Sequence, residues 1–356
     1  MPKMITSTMS KIHGIQHVGV AVADMDRTLP LYRNWFGLNI PFFDGIQAAP
    51  LMQVFTNDTV ISKRASMVMN LQGGSAMEVI QATSFKPKPL PSDFILGDLG
   101  IFAVHMRTHA PHRALQSFEN NSLKPGMSKD PLGKQRFVIQ DPDQLFYIAR
   151  EDHQVYAPCG CVLGGVGGLS IGVSDIEKSK HFYALLGFDQ VLYEGQGVYD
   201  DLKGFPGGDQ DVQRVILTSS QVAKGPFGAV IGCSLIELIC TPLRVGQKIF
   251  RGRIWGDVGF VHIGLDVVDM RGLAAQLAQK NIQLQCDSQA ALSMGKTQVH
   301  CAYICDPDGV LIELIEVYKI PLIEKWGIFL NVHGKKAGKA LPNWLIRLLR
   351  FSRIKD

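Results

Sequence analysis

The sequence predicts an α+β fold assembled from four repeats of one pattern: a strand, a helix, then further strands. Three observations carry this. Two segments far apart read almost alike, "HVGVAV" from His17 and "HIGLDV" from His262. Each is followed further on by a glutamate inside an apolar strand, Glu78 in "AMEVIQ" and Glu313 in "LIELIE". Helix-start and tight-turn signals recur at matching places between them.

In order along the chain, unit one spans about 13–83 and unit two about 98–150, with a helix expected near 110–119. Unit three spans about 163–241 and unit four about 257–318. In the two histidine segments the odd offsets are apolar: Val18, Val20 and Val22, then Ile263, Leu265 and Val267. A strand of period two buries that face. The histidine's own face carries only Gly19 and Ala21, or Gly264 and Asp266, so one imidazole stands beside open space, as on a strand lining a ligand pocket. Asp24 and Asp175 are N-caps for the helices that follow, and Tyr32 and Tyr183 sit eight residues on in each. Gly37 and Gly187 end those helices. "DPDQ" at 141–144 and "DPDG" at 306–309 are tight turns into the last strand of units two and four. The glycine-rich stretch 159–168 reads as the joint between halves, which gives segments 13–150 (units one and two), 163–318 (units three and four) and a basic tail, 319–356.

With these pieces together, residues 13–318 resemble the vicinal oxygen chelate superfamily of glyoxalase I, bleomycin-resistance proteins, methylmalonyl-CoA epimerase and extradiol dioxygenases. No single piece is specific; the set is. The resemblance implies four βαβββ modules that pair into two glyoxalase-like half-barrel domains around a metal.

Composition fits a globular chain with a proper core. Of 356 residues 46% are hydrophobic and 19% charged, the size of about two domains. No apolar run reaches the roughly 18–20 residues a membrane span needs, and the first residues lack the apolar core of a secretory signal. Seven cysteines, an odd number without zinc spacing, predict reduced thiols in a cytoplasmic protein. The pair Cys159 and Cys161 has no matching second pair, which argues against a metal or redox role. The net charge of +4 comes from the tail: residues 332–356 carry seven basic side chains against Asp356, leaving the body at about −2. Nothing in the body suggests nucleic-acid binding. Segment 343–354 reads as a basic amphipathic helix, with Trp344, Leu345, Leu348 and Leu349 on one face and Arg347, Arg350 and Arg353 toward the other. Docking on its own body or on a partner subunit is the preferred role; contact with an anionic membrane is the alternative.

Superposing the units assigns the candidate ligands. Unit one supplies His17 and Glu78, and unit four His262 and Glu313. Unit two has Ala103 and Ile148 at the equivalent points, and unit three Gly168 and Glu237. If unit one pairs with unit four, all four candidates fall in one site without a leftover, and units two and three form a degenerate one. That swapped pairing, preferred here over one-with-two and three-with-four, resembles fused single-chain glyoxalase I. A lone strand histidine is usually structural. Two at equivalent points, each with a matched glutamate that is costly to bury alone, point instead to a metal. Glu316 and Gln81, three residues beyond the two glutamates, face the opposite side and are expected to be structural. His105 is read as a core residue, with a vestigial anion pocket lined by His105, Arg107 and Ser170 as the alternative.

Histidine and glutamate without cysteine suit one divalent metal ion: Zn, Ni, Co, Mn or Fe(II). The resemblance implies chelation of neighbouring oxygens of a small-molecule substrate. The expected function is a metal-dependent glyoxalase-I-like isomerase, lyase or epimerase acting on an oxygen-chelating carbonyl compound. Glu78 or Glu313 would serve as general base; the sequence does not rank them. Two alternatives stand. An Fe(II) extradiol-type dioxygenase would use His17, His262 and Glu313 with Glu78 as a bystander; His300 could then act in acid–base chemistry, although a structural role for that strand histidine is the preferred reading. A non-catalytic binding protein would have no turnover. The inserts 39–66 and 192–230, with "PFFDG" at 41–45 and the glycine-rich 193–208, are expected to form pocket rims.

Overall fold

The strands begin where the alternation begins, and the helices begin at the aspartates. The computed structural model describes residues 3–4, 11–119, 126–289, 291–294, 297–323, 328–332 and 338–354. Unit one folds as β1 (Ile12–Ala21), α1 (Met25–Phe36), β2 (Ile40–Ala48), β3 (Ser62–Met69) and β4 (Ala76–Ala82). Unit two follows as β5 (Gly100–Thr108), α2 (Pro111–Glu119), a two-residue strand Ser128–Lys129, β6 (Gln135–Gln140) and β7 (Phe146–Glu151). Unit three is β8 (Val166–Gly172), α3 (Ile176–Leu185), β9 (Gln190–Gly197), β10 (Val212–Thr218) and β11 (Leu235–Cys240). Unit four is β12 (Gly259–Val267), α4 (Met270–Gln279), two short strands, β13 (Thr297–Cys305) and β14 (Leu311–Ile323). Four βαβββ modules are therefore present. The caps are as the sequence predicts: Asp24 accepts from the amides of Asp26 and Arg27, Asp175 accepts from that of Lys178, and Gly37 closes α1 at φ 62°.

The units form two curled sheets. One runs β13-β14-β12-β1-β4-β3-β2, with units four and one back to back; the other runs β9-β10-β11-β8-β5-β7-β6, with units three and two. In each, the two first strands of the paired units lie antiparallel at the centre, and each has its own unit's last strand parallel beside it. Each of the segments 13–150 and 163–318 thus contributes one unit to each sheet.

The apolar faces of all four first strands meet in one core with the helices. Val18 and Val20, Val104 and Met106, Leu169 and Ile171, and Ile263 and Leu265 are all buried there. The tyrosine and turn motifs tie the sheets together across this core. Tyr32 of unit one donates to Asp141 of unit two at 2.7 Å, and Tyr183 of unit three donates to Asp306 of unit four at 3.0 Å. The second aspartate of each turn caps the same neighbour: Asp143 accepts from the Ala23 amide and Asp308 from that of Ser174. At the glycine-rich joint, Gly165 runs so close to Gly74 that a Cβ on Gly74 would lie 2.5 Å from the Gly165 carbonyl carbon.

The tail differs from its expected form. The helix covers only Asn343–Arg347, followed by a 3₁₀ turn, Leu348–Ser352. Ile346 and Leu349, about one turn apart, are the buried residues, while Trp344 is 66% exposed. That face packs on the protein's own body, against Met67, Met69 and Val230. Lys335, Lys336 and Lys355 of the basic tail lie outside the described residues. No helix among the described residues is long and apolar enough to cross a membrane. All seven cysteines are free, and burial raises the thiol pKa of both Cys159 and Cys161.

Burial pushes the turn carboxyls of Asp141 and Asp306 up to about 6, against the opposing hydrogen bonds from their tyrosines and turn amides. An unfolded aspartate titrates near pH 4. These two groups therefore favour the fold most below that pH, and the benefit is lost as the pH rises through about 6. Asp306→Asn keeps an oxygen for the turn amides and removes the titration. The variant should gain on the parent by about 1–3 kcal/mol between pH 4 and pH 7. Denaturant melts at both pH values measure this; a stability difference independent of pH contradicts it.

Candidate metal centre

At the centre of the first sheet β1 and β12 run antiparallel, with His262 opposite Gly19 and Gly264 opposite His17. Each imidazole lies across the other strand's glycine. A Cβ on Gly19 would stand 2.3 Å from His262 Cε1, and one on Gly264 would stand 2.4 Å from His17 Cε1. Both are far inside contact distance. The parallel neighbours bring the carboxylates level with those glycines: Gly19 pairs with Glu78 on β4, and Gly264 with Glu313 on β14. His17, Glu78, His262 and Glu313 are all buried, none more than 3% exposed. Each offers one ligand atom to a group in which all lie within 4.8 Å of one another.

The inner atoms converge. His17 Nε2 lies 3.0 Å from His262 Nε2, 3.1 Å from Glu313 Oε2 and 3.8 Å from Glu78 Oε2. His262 Nε2 lies 3.3 Å from Glu78 Oε2 and 3.4 Å from Glu313 Oε2. Tetrahedral ligands about 2.0–2.1 Å from an ion stand about 3.3 Å from one another, so these separations suit four donors around one centre. The outer atoms are held elsewhere. Lys63 Nζ donates to Glu78 Oε1 at 3.1 Å, and the Tyr303 hydroxyl donates to Glu313 Oε1 at 2.6 Å. His17 Nδ1 faces Gln16 Oε1 at 3.3 Å, a contact that would suit a ring proton on Nδ1 and leave Nε2 for a metal.

Burial alone would raise both carboxyls. For Glu78, the Lys63 ammonium and the two imidazoles outweigh it and hold the group well below the usual carboxylate range. For Glu313, the imidazoles of His262 and His17 lower the group against burial and the opposing charge of Glu78. Burial beside Glu313 pushes the Tyr303 phenol well up, so it remains a donor.

These residues fit a divalent ion. Glu313 Oε2 is buried with no hydrogen-bond partner among the described residues, as is His262 Nδ1. Once the two imidazoles act as ligands, which requires their neutral form, two carboxylates against one lysine would leave a buried negative charge that a cation balances. The donor set of two imidazoles and two carboxylates is one that borderline divalent metals take.

The equivalent place in the second sheet is built differently. Ala103 and Gly168 stand at the histidine points, so the positions that must be glycine in the first sheet can carry side chains here: His105 and Ser170. His105 Nε2 donates to Ser170 Oγ at 2.7 Å, and Ser170 donates to Glu237 Oε2. Arg214 Nε binds Glu237 Oε1 at 2.8 Å and grips Asp201 with both terminal nitrogens, at 2.8 and 2.7 Å. Arg136 Nε lies 3.1 Å from Asp201. Two guanidiniums and two carboxylates close this interior as a neutral network. His105 is thus a core residue. Arg107 is turned to Asp152 at 3.1 Å and lines no anion pocket.

His300 is not at the site. It alternates with Cys301 and Tyr303 along β13, so it points away from Glu313, and its Nε2 is bound to Asp287 at 2.6 Å. Gln81 and Glu316 are structural, as expected: Gln81 Oε1 accepts from the Met25 amide at 2.8 Å, and Glu316 accepts from those of Asp269 and Met270 at 3.0 and 3.2 Å. Sequence reasoning missed Lys63 and Tyr303, which hold the glutamates, and Arg136, Arg214 and Asp201. Tyr303 had a signal, since period two in "HCAYIC" puts it on the face next to Glu313; Lys63 had none.

A cavity of about 100 Å³ reaches His17 and Glu313. Phe42 and Phe43 of "PFFDG" line it, as the rim expectation required. The stretch 193–208 does not; Tyr199 and Asp201 serve the arginine network instead. The opposite end of this half-barrel is plugged by Trp255, Met52 and Ile61.

The resemblance read from the sequence is borne out. Residues 165–314 match the Glyoxalase/Bleomycin resistance protein/Dioxygenase superfamily. No curated protein matches the sequence significantly. Among solved structures, a Bacillus subtilis protein provisionally described as a dioxygenase aligns with TM-score 0.54 and 14% identity, covering 86% of each chain. Glyoxalase I from Zea mays aligns with TM-score 0.51 and 14% identity, over 85% of this chain and 92% of that one. At such identity these likenesses speak for the fold alone.

Two outcomes follow. Elemental analysis should find about one divalent ion per chain, lost in His17→Ala and His262→Ala and kept in Glu237→Ala; the reverse pattern would move the site to the second sheet. Gly264→Ala should displace the His17 ring and weaken metal retention at least tenfold, with a stability loss of about 1–3 kcal/mol. Unchanged metal affinity in that variant contradicts the clearance argument.

Proposed function

We propose that this chain is a metal-dependent enzyme of the glyoxalase I type, an isomerase, lyase or epimerase acting on a small oxygen-chelating carbonyl compound. One observation carries the reading: two imidazoles and two carboxylates converge on one point, with each glutamate's outer oxygen fixed by its own donor. A divalent ion held by His17, Glu78, His262 and Glu313 would supply Lewis-acid stabilisation of negative charge on a substrate oxygen.

The surroundings of the two glutamates rank them. Glu78 is tied to the Lys63 ammonium and does not reach the cavity. Glu313 lines the cavity beside His17. Glu313 is therefore the general base: its carboxylate takes a carbon-bound proton from substrate in the cavity and returns it to a neighbouring position. The Tyr303 hydroxyl holds Oε1 of that carboxylate still, so the proton would be met by Oε2 once substrate releases that oxygen from the ligand set. Methionine and phenylalanine side chains line the cavity and would limit the water that competes there.

The lysine contact also favours a second reading. With Glu78 neutralised by Lys63, the set His17, His262 and Glu313 has the two-histidine, one-carboxylate composition of Fe(II) oxygenase sites.

Glu313→Gln should keep much of the metal and lower hydrogen–deuterium exchange on α-hydroxycarbonyl or thiohemiacetal substrates by about 10²–10⁴. Glu78→Gln should chiefly weaken metal retention, because it leaves Lys63 buried without its anion. Full exchange activity in Glu313→Gln contradicts the base assignment. Oxygen uptake on a catechol panel, with no exchange on the carbonyl substrates, rejects the isomerase reading in favour of the second.

A further inference from the structure

The cavity beside Glu313 is roofed by parts of the chain that belong to neither unit of its sheet. Pro226, Phe227 and Ile231, from the loop between β10 and β11 of unit three, form one side of it. Phe227 packs edge-on against Phe42 of unit one, ring centres 5.6 Å apart. The C-terminal segment straps this loop down: the Leu341 amide donates to Pro226 O at 3.1 Å, and the Tyr156 hydroxyl donates to Asn343 O at 3.1 Å. Ile346 and Leu349 complete the apolar cluster behind it with Met67 and Met69.

The wall so formed has one chemical character. Phe42, Phe43, Met67, Met69, Phe227 and Ile320 dominate it, and among the described residues its acidic groups are Glu313 and Asp266. Asp266 accepts from Gln16 Nε2 at 3.3 Å and lies 3.5 Å from His13 Nδ1. Among the described residues no lysine or arginine lines the cavity. An anionic substituent would lose its hydration among apolar side chains and face two carboxylates with no cation to pair with. An apolar one would gain by leaving water, and the methionines adapt to its shape.

We infer that the molecule this site takes is uncharged and hydrophobic away from its oxygens: two neighbouring oxygens directed at His17 and Glu313, and an alkyl or aryl body seated under Phe227. This rests on the metal reading above. It assigns to unit three, whose own interior is closed by arginines, the role of selecting substrate for the site of units one and four.

The test uses the full-length, metal-loaded protein and a series of hydroxamic acids, which present two neighbouring oxygens to a metal. Affinity is measured by calorimetry for acetyl, butyryl and hexanoyl hydroxamate and for the anionic monohydroxamate of succinate. The expected result is a gain of about fourfold per added methylene, with the succinate compound at least tenfold weaker than butyryl. Phe227→Asp, and Phe227→Ala beside it, should flatten the series with metal content retained. Equal affinity along the series, or tighter binding of the succinate compound, while acetohydroxamate still binds only with metal present, overturns this inference and leaves the metal reading standing. A protein that holds no ion and binds no hydroxamate overturns both.

Discussion

An imidazole ring needs space, and in this fold the space is made by a glycine on the neighbouring strand. His262 lies over Gly19 and His17 over Gly264, each too close for a Cβ. The clearance is reciprocal, so it fixes the register of β1 against β12 at the one level where both rings fit. A slip of one residue would turn both histidines into the core and both valine faces toward the cavity. The parallel pairing of each strand with the last strand of its unit then delivers Glu78 and Glu313 to the same level. Four ligand atoms meet because two glycines are absent of side chains.

The second sheet is the internal control for this constraint. Its backbone pairing repeats that of the first, yet the residue types at the two key points are exchanged. Small residues, Ala103 and Gly168, take the histidine points, and His105 and Ser170 occupy the clearance points. Glu237 keeps its place and would be a buried lone carboxylate. Arg214 and Arg136, with Asp201 between them, neutralise it. Removing one member of such a network strands a buried charge, which is costly, so the network holds its composition even without a function. The same half also supplies the loop that roofs the other site.

Much of this was legible in the sequence because it rests on local periodicity. The histidine strands, the aspartate caps, the tyrosine eight residues on and the paired turns are all short-range patterns. The matched glutamates followed from the repeat, and the pairing of unit one with unit four followed from assigning every ligand candidate. The partners of Tyr32 and Tyr183 were not legible, because they lie more than a hundred residues away. Lys63 was hidden for a different reason. A lysine in a strand ordinarily reaches solvent, and only the sheet packing shows its ammonium on Glu78 with the ring of Trp255 5.0 Å from it. His300 is structural, the reading preferred from the sequence, because its side chain lies on the opposite side of the strand from Glu313. In the tail, the apolar face was read as including Trp344, while the residues that reach the body are Ile346 and Leu349 and Trp344 faces outward.

The central claim is that one ion sits among four named atoms and that the second sheet holds none. Anomalous diffraction from crystals grown with the metal, recorded on both sides of its absorption edge, tests this most directly. The account predicts a single peak about 2 Å from His17 Nε2, His262 Nε2, Glu78 Oε2 and Glu313 Oε2, and no peak beside Glu237. A peak at Glu237, or none between the two histidines in metal-saturated crystals, would contradict it.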